Sequence, residues 1–281
     1  MKIRITSDST CDLGALVKER NIGIMPLQVN LGDKTYRDGV DIVPEDIFKF
    51  VAVKNILPKT AAPSIGEYEE FFKKELEEYD VVIHLNISSK SSGSYNFAKT
   101  AAEEFGDKVY VIDSKSLSSG QGLLVMKACD MRDVGKSAEE IVDAILQLRE
   151  QVNTSFVPDT LEYLHKGGRV SGMVKTVAGM FKIHPLIYME DGQLVPGKKY
   201  KGKMNILIKQ YIEDLKAQYP SYDKTRCFIA HSTADKELVD TVKEKIKELF
   251  EFDEVLESVA GSIVTSHCGQ GTLGVLFIYN K

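Results

Sequence analysis

The first half of the chain alternates short β-rich runs with amphipathic stretches, and few architectures accept that alternation. Lys2–Thr6 and Ile24–Leu31 have strand character, and Asp80–Asn86 and Lys108–Ile112 are compact apolar runs of strand length. Between them, Ser64–Tyr79 places Ile65, Tyr68, Phe72, Leu76 and Tyr79 at helical spacing, and Ser64 with Glu67 forms a capping box at its start. Ser137 with Glu140 repeats that device ahead of Ile141, Val142, Ile145 and Leu146. Strands and helices in this order predict an α/β fold, a parallel sheet covered by helices.

The second half is less regular. Thr154–Val157 reads as a strand and Asp159–His165 as a short helix ended by Gly167-Gly168. Ile183–Val195 has the pattern of a hairpin turning at Asp191-Gly192. Amphipathic helices over Met204–Tyr219 and Asp235–Phe250 flank a strand at Arg226–Ala230, and further strands fall near Glu254–Val259 and at Leu273–Tyr279. The 281 residues suit two domains of roughly 100–200 residues each. The expected division is an N-terminal α/β domain over 1–155 and a C-terminal α/β domain with a mixed sheet over 156–281.

Composition removes several function classes. The 36 basic and 41 acidic residues leave a net charge of −5, which argues against a general nucleic-acid binder. The start, Met1–Asp8, carries a charge at every second or third position and lacks the apolar core of a signal peptide. No run approaches the ~18 apolar residues of a membrane span. Cys11, Cys129, Cys227 and Cys268 stand far apart, with no CxxC pair to hold zinc and no disulfide framework. A reducing cytoplasm is the expected location.

Hydroxyl residues fall where such a fold places ligands. Thr6–Thr10 follows the first strand, Ser88–Ser94 the Asp80 strand, and Ser114–Ser119 the Lys108 strand, while Thr60 and Ser64 precede a helix. In a parallel sheet the carboxyl ends of the strands share one edge, and each loop there delivers a helix N-terminus with free N–H groups. Hydroxyls and amides with few cations suit a carboxylate or phosphate head group. The same residues also serve as helix N-caps, and both readings stand.

Other chemical signals are weak. There is no phosphate loop, no GxGxxG after a strand, no HExxH and no GxSxG. His267 and Cys268 are adjacent; on a strand they would point to opposite faces, so a Cys–His nucleophile is not expected and Cys268 reads as buried and structural. His267, in what looks like a tight glycine-rich loop, is either ligand-facing or structural. His84, inside an apolar strand, reads as a satisfied core residue, and His165 and His231 lack supporting context. The run Lys198–Lys203 is either a solvated turn or a docking point for an acidic partner or phosphate.

These motifs together resemble the DegV family of bacterial fatty-acid-binding proteins over about residues 3–279. Thr6-Ser7-Asp8-Ser9-Thr10-Cys11-Asp12-Leu13 is similar to its opening signature. Lys59-Thr60-Ala61-Ala62-Pro63-Ser64 is similar to its threonine loop, and Ile87–Tyr95 to its serine loop. Val111–Ser114, Leu161–Arg169 and His267–Gly274 extend the match in the same order. The resemblance implies a two-domain α/β fold with one long-chain fatty acid, such as palmitate, in a tunnel between the domains. It implies a carboxylate bonded by Thr60 and Ser92, with Gly93 in the same loop and His267 close by. It also implies a non-catalytic carrier without metal or cofactor, some members presenting the acid to a separate kinase that phosphorylates the carboxylate. Ala61 stands where the family usually has serine, Gln270 where proline is common, and Lys201 and Lys203 where kinase-partnered members have arginine. These two lysines are the candidate partner-docking residues, although lysine lacks arginine's bidentate fork.

Transfer energetics favour a lipid independently of the resemblance. A 16-carbon chain buries about 14 methylenes at ~0.8 kcal/mol each, roughly 11 kcal/mol before binding costs. A few neutral hydroxyls then suffice at the head, provided they satisfy the carboxylate. Candidate tunnel-lining residues are Met173, Val174, Val177, Met180, Phe181 and Ile183. The alternative is a small-anion hydrolase or phosphotransferase using the same hydroxyl loops, which would need an assembled nucleophile, base and orienting group.

Overall fold

The computed structural model describes residues 1–170 and 183–281. The N-terminal half contains β1 (Ile3–Asp8), β2 (Gly23–Met25), β3 (Gln28–Leu31), β4 (Lys34–Arg37), β5 (Lys59–Ala61), β6 (Val81–Asn86) and β7 (Val109–Asp113). Its helices are α1 (Leu16–Glu19), α2 (Pro44–Lys54), α3 (Ile65–Glu75), α4 (Ser94–Ala102), α5 (Ser118–Asp133) and α6 (Ala138–Leu148). A four-stranded sheet in the order β2-β1-β6-β7 is parallel throughout, so its strands end on one edge at Met25, Asp8, Asn86 and Asp113. The capping boxes at Ser64 and Ser137 open α3 and α6 as the sequence predicts.

The predicted strand over Ile24–Leu31 is two strands in two sheets. Pro26 has no N–H to give a ladder and fixes its own φ, so pairing breaks there. After it the chain turns into β3, which pairs antiparallel with β4 and β5 in a separate three-stranded sheet. That small sheet carries Thr60, opposite Val29.

The C-terminal half contains β8 (Val152–Asn153), β9 (Ser155–Val157), α7 (Glu162–Gly167), β10 (Ile183–Glu190), β11 (Gln193–Lys201), α8 (Met204–Gln218), β12 (Tyr222–His231), α9 (Lys236–Leu249), β13 (Glu254–Val259), α10 (Ser262–Cys268) and β14 (Leu273–Tyr279). Its sheet runs β11-β10-β9-β14-β12-β13, with β8 also on β14, and is mixed: β12 and β13 are parallel, the other pairs antiparallel. The hairpin turns at Asp191-Gly192, both with positive φ as a two-residue primed turn requires, and its second strand continues past Val195 to Lys201.

Helix α5 lies between the two sheets. One apolar cluster joins its Leu123, Leu124 and Val125 to Ile5, Ile83 and Leu85 of the first sheet and to Phe228, Leu276 and Ile278 of the second. Close approach is possible because α5 has glycine where neighbours press in: a Cβ at Gly122 would stand 2.7 Å from the Cys11 carbonyl oxygen, and one at Gly120 2.0 Å from Thr154 Oγ1.

Two histidines differ from the sequence reading. His267 is in the last turn of α10, not in a loop; the glycine-rich segment starts after it, at Gly269, where φ is +76°. His84 is buried but only half hydrogen-bonded. Its Nδ1 lies 2.8 Å from Thr6 Oγ1, whereas Nε2 has no hydrogen-bond partner among the described residues. The rings of Phe72, Tyr68 and Phe71 surround it edge-to-face, at centroid distances of 5.3, 5.6 and 5.8 Å.

Burial of His84 depresses its pKa from 6.5 to about 3. In that window the unfolded chain binds a proton that the folded one excludes, so the stability tied to a neutral His84 is complete above pH 6.5 and lost as pH falls. Relative to His84→Leu, wild type should lose about 1.4 kcal/mol of unfolding free energy per pH unit from pH ~6.5 to ~4. Urea melts of both proteins across that range measure the difference, and parallel pH profiles would refute the assignment.

Candidate functional site

Where the two halves face each other a cavity of about 310 Å³ opens. Its polar lining is Thr60 from β5, Ser91 and Ser92 from the loop after β6, Arg169 from beyond α7, and His267 from α10. Its apolar lining includes Leu27, Ile87, Phe97, Leu117, Leu194, Ile263 and Val264. A second, smaller space of about 30 Å³ shares Leu117, Val264 and Cys268 with the first and is walled by Phe156, Ala230, Ala260 and Leu276. Hydroxyls stand in the larger cavity, and the small recess adjoins it against the second sheet, where Ser118, Thr154, His231, Ser232 and Thr272 also line it.

Thr60 and His267, from opposite halves, meet at 2.8 Å between Oγ1 and Nε2. Burial, and secondarily the positive charge of Arg169, lower the His267 pKa to about 4, so the imidazole is neutral at pH 7. Its Nδ1 is buried without a partner among the described residues. A neutral imidazole carries one N–H; with the proton on Nε2 it donates to Thr60 and leaves the threonine O–H free to point into the cavity. Cys268 beside it is no nucleophile, since burial pushes its thiol up to about 12.

Ser92 both supports the start of α4 and lines the cavity. Its Oγ accepts from Ser94 N at 3.2 Å, capping the first turn of α4, and its own O–H remains to donate. Gly93, the N-cap residue of α4, lines the cavity beside it. The hairpin tip of the other half braces this loop. Ser88 Oγ donates to the Gly192 carbonyl at 2.6 Å, and Asp191 pairs with Lys90 at 2.6 Å and Lys115 at 3.1 Å. Those bonds, Lys90 first, hold the Asp191 carboxyl down at about 2.

Of the hydroxyl loops expected to converge on a ligand, only the Ser88–Ser94 loop and Thr60 supply hydroxyls to this cavity among the described residues. Residues of the other loops are spent internally. Asp8, buried, accepts from Thr10, from Asn86 Nδ2 at 3.2 Å, from Ile87 N at 2.8 Å and from Gln121 Nε2 at 3.1 Å. Ser116 bonds Thr154 at 2.6 Å, and Ser118 donates to Asp12.

Thr60, Ser92, Gly93 and His267 are thus brought together. Met173, Val174, Val177, Met180 and Phe181 lie outside the described residues. Ile183, half-buried at the start of β10, lines neither space. Lys201 and Lys203 are exposed and also line neither; Lys201 is seven residues along β11 from the lining residue Leu194, roughly 23 Å of extended strand. Ser91 and Arg169 line the cavity without having been singled out. Arg169 was signalled by Gly167-Gly168: Gly168 stops α7 in the left-handed conformation and turns the next residue back to the cavity.

The model of the family described as "Uncharacterised protein, DegV family" matches residues 2–280. A DegV domain-containing protein of Caldanaerobacter subterraneus subsp. tengcongensis is 31% identical, over 98% of each chain. Two solved structures match 100% of both chains. One, with a TM-score of 0.91 and 28% identity, is a fatty-acid-binding DegV family protein from Thermus thermophilus. The other, with a TM-score of 0.85 and 25% identity, is the Streptococcus pneumoniae fatty acid kinase (Fak) B3 protein loaded with linoleic acid. With a family model covering nearly every residue and the same fold end to end, this chain belongs to the DegV family.

Proposed function

We propose that the cavity binds a long-chain fatty acid, with Thr60 and Ser92 donating to its carboxylate and the hydrocarbon lying against the cavity's aliphatic walls. The observation that carries this reading is the chemistry of the cavity: hydroxyls from β5 and from the loop after β6 at one place, beside the aliphatic walls of Leu27, Ile87, Leu117, Leu194, Ile263 and Val264. The solved relatives support it, since one binds fatty acid and another holds linoleic acid. Neutral donors are adequate at the head because the chain supplies most of the affinity, at ~0.8 kcal/mol per methylene. His267 acts through Thr60: accepting from Nε2, the threonine has its hydrogen free for the ligand.

A hydrolase is the weaker reading. Thr60 and His267 have the spacing of a nucleophile and a base, but the His267 Nδ1 meets no orienting acceptor among the described residues. A pKa of about 4 also makes this imidazole a poor base at pH 7. We therefore infer a carrier that hands its acid to a separate enzyme. A fatty acid kinase is the proposed partner, on the strength of the Streptococcus pneumoniae relative.

Organic extraction followed by mass spectrometry should recover a C14–C18 acid in equimolar amount with the protein. Charge-assisted hydrogen bonds are worth roughly 1.5–3 kcal/mol each. Thr60→Val combined with Ser92→Ala should accordingly weaken oleate binding well over tenfold in calorimetric titration, with cooperative melting retained. Unchanged affinity would remove both residues from the head-group site.

Lys201 and Lys203 are proposed to attract the partner rather than hold the lipid. Exposed rim charges mainly raise association rates and are screened by salt. Replacing both with glutamate should leave oleate affinity within about twofold and slow acyl-phosphate formation by an added fatty acid kinase, most at low ionic strength. An equal loss of oleate binding would place them in the head-group site, and no effect on either would return them to the solvated surface.

A further inference from the structure

Helix α10 supplies Ile263, Val264, His267 and Cys268 to the cavity, and its N-terminus is capped from outside. Gly261, its N-cap residue, has no side chain to offer. Instead two buried carboxyl groups reach in from the N-terminal half. Asp38, one residue past β4, accepts from Ser262 N at 2.7 Å. Asp12, in the loop after β1, accepts from Gly261 N at 2.8 Å, while its other oxygen takes the Ser118 hydroxyl at the start of α5. Gly261 has an ordinary φ of −66°, so what it provides is space: a Cβ there would stand 3.0 Å from Asp12 Oδ1 and 3.2 Å from Asp38 Oδ2.

The small sheet therefore grips α10 at both ends. Asp38, following β4, takes its first turn, and Thr60, on β5, meets His267 in its last. The helix between them is stiffened by Ser266 Oγ, which donates to the Ser262 carbonyl at 2.6 Å, and by Thr265 N, which donates to the Gly261 carbonyl at 2.9 Å. We propose that Asp38, with Asp12 beside it, is a positioning residue for the carboxylate site: by holding the N-terminus of α10 it sets the depth and rotation at which His267 meets Thr60. This rests on the fatty-acid reading, because it concerns the same head-group site. What the cap needs from residue 38 is an acceptor oxygen, so asparagine should serve and alanine should not.

The test uses delipidated full-length protein and oleate. Asp38→Ala and Gly261→Ala should each weaken binding about five- to twentyfold, and Asp38→Asn should stay within about twofold of wild type. In a His267→Ala background, Asp38→Ala and Gly261→Ala should add less than about twofold, because the residue they position is already gone. Imidazole NMR signals of His267, recorded without ligand, should shift in Asp38→Ala and return in Asp38→Asn. Losses that multiply in the double variants, or a His267 signal identical in wild type and Asp38→Ala, would overturn the proposal. If Asp38→Ala does not fold, Gly261→Ala carries the same comparisons. A wild-type protein that takes up no oleate would defeat the fatty-acid reading alone, since the ligand-free His267 signals still decide whether Asp38 positions it.

Discussion

Burial of α5 between two sheets is the constraint from which most of the site follows. A helix covered on both sides carries its polar residues into a place without water, where each needs a partner or costs about 1–3 kcal/mol. Gln121 shows the consequence: its amide donates to Ser7 at 2.8 Å, to Asp8 at 3.1 Å and to the Leu85 carbonyl at 3.2 Å, tying α5 to β1 and β6. Asp8 and Asp12 sit in the same dry layer, and desolvation raises both carboxyl pKa values against the pull of their donors. Most hydroxyls after β1 and β7 are spent in this layer, with Ser119 Oγ left without a partner among the described residues. In the Ser88–Ser94 loop, Ser88 and Ser94 are buried and bonded as well, whereas Ser91 and Ser92 lie farther out and line the cavity.

This separates what the sequence makes legible from what it hides. Strand runs, capping boxes and the Asp191-Gly192 turn are local devices, and each appears as read because its cause lies within a few residues. The Pro26 break is local too, but its effect, sending β3 into another sheet, depends on β4 and β5 as partners, and Lys34–Arg37 has too little apolar character to announce a strand. The helical state of His267 was hidden for a related reason. Ser262–Cys268 is short, buried at most of its positions and so not amphipathic, and its N-cap acceptors come from Asp12 and Asp38, more than two hundred residues earlier. No window along the chain contains that information.

The hydroxyl loops were ambiguous in sequence because the same chemistry serves two ends. A serine that caps a helix uses its oxygen as acceptor, and its hydrogen is left over. Ser118, at the start of α5, gives its hydrogen to the buried Asp12, whereas Ser92, which accepts from Ser94 N, lines a cavity. Only tertiary placement distinguishes the two. Arg169 adds the converse case. A cation lines the cavity beside Thr60 and Ser92, but Arg169 is exposed, and its nearby charge helps hold His267 neutral.

On the proposed reading, a head group held by hydroxyls rather than by an arginine fork has a consequence for what a bound acid can do. An arginine fork would take both carboxylate oxygens and stabilise their charge, which lowers nucleophilicity. Single hydroxyls from Thr60 and Ser92, as proposed, would leave acceptor capacity on each oxygen, because a carboxylate has about four lone-pair sites and two donors fill half of them. With the hydrocarbon setting affinity and neutral donors setting orientation, the carboxylate of that proposed complex would keep most of its charge density. That is the state in which an oxygen is best able to attack an electrophilic phosphorus brought from outside, and a carrier that bound its head group more tightly would bring a less reactive acid to its partner.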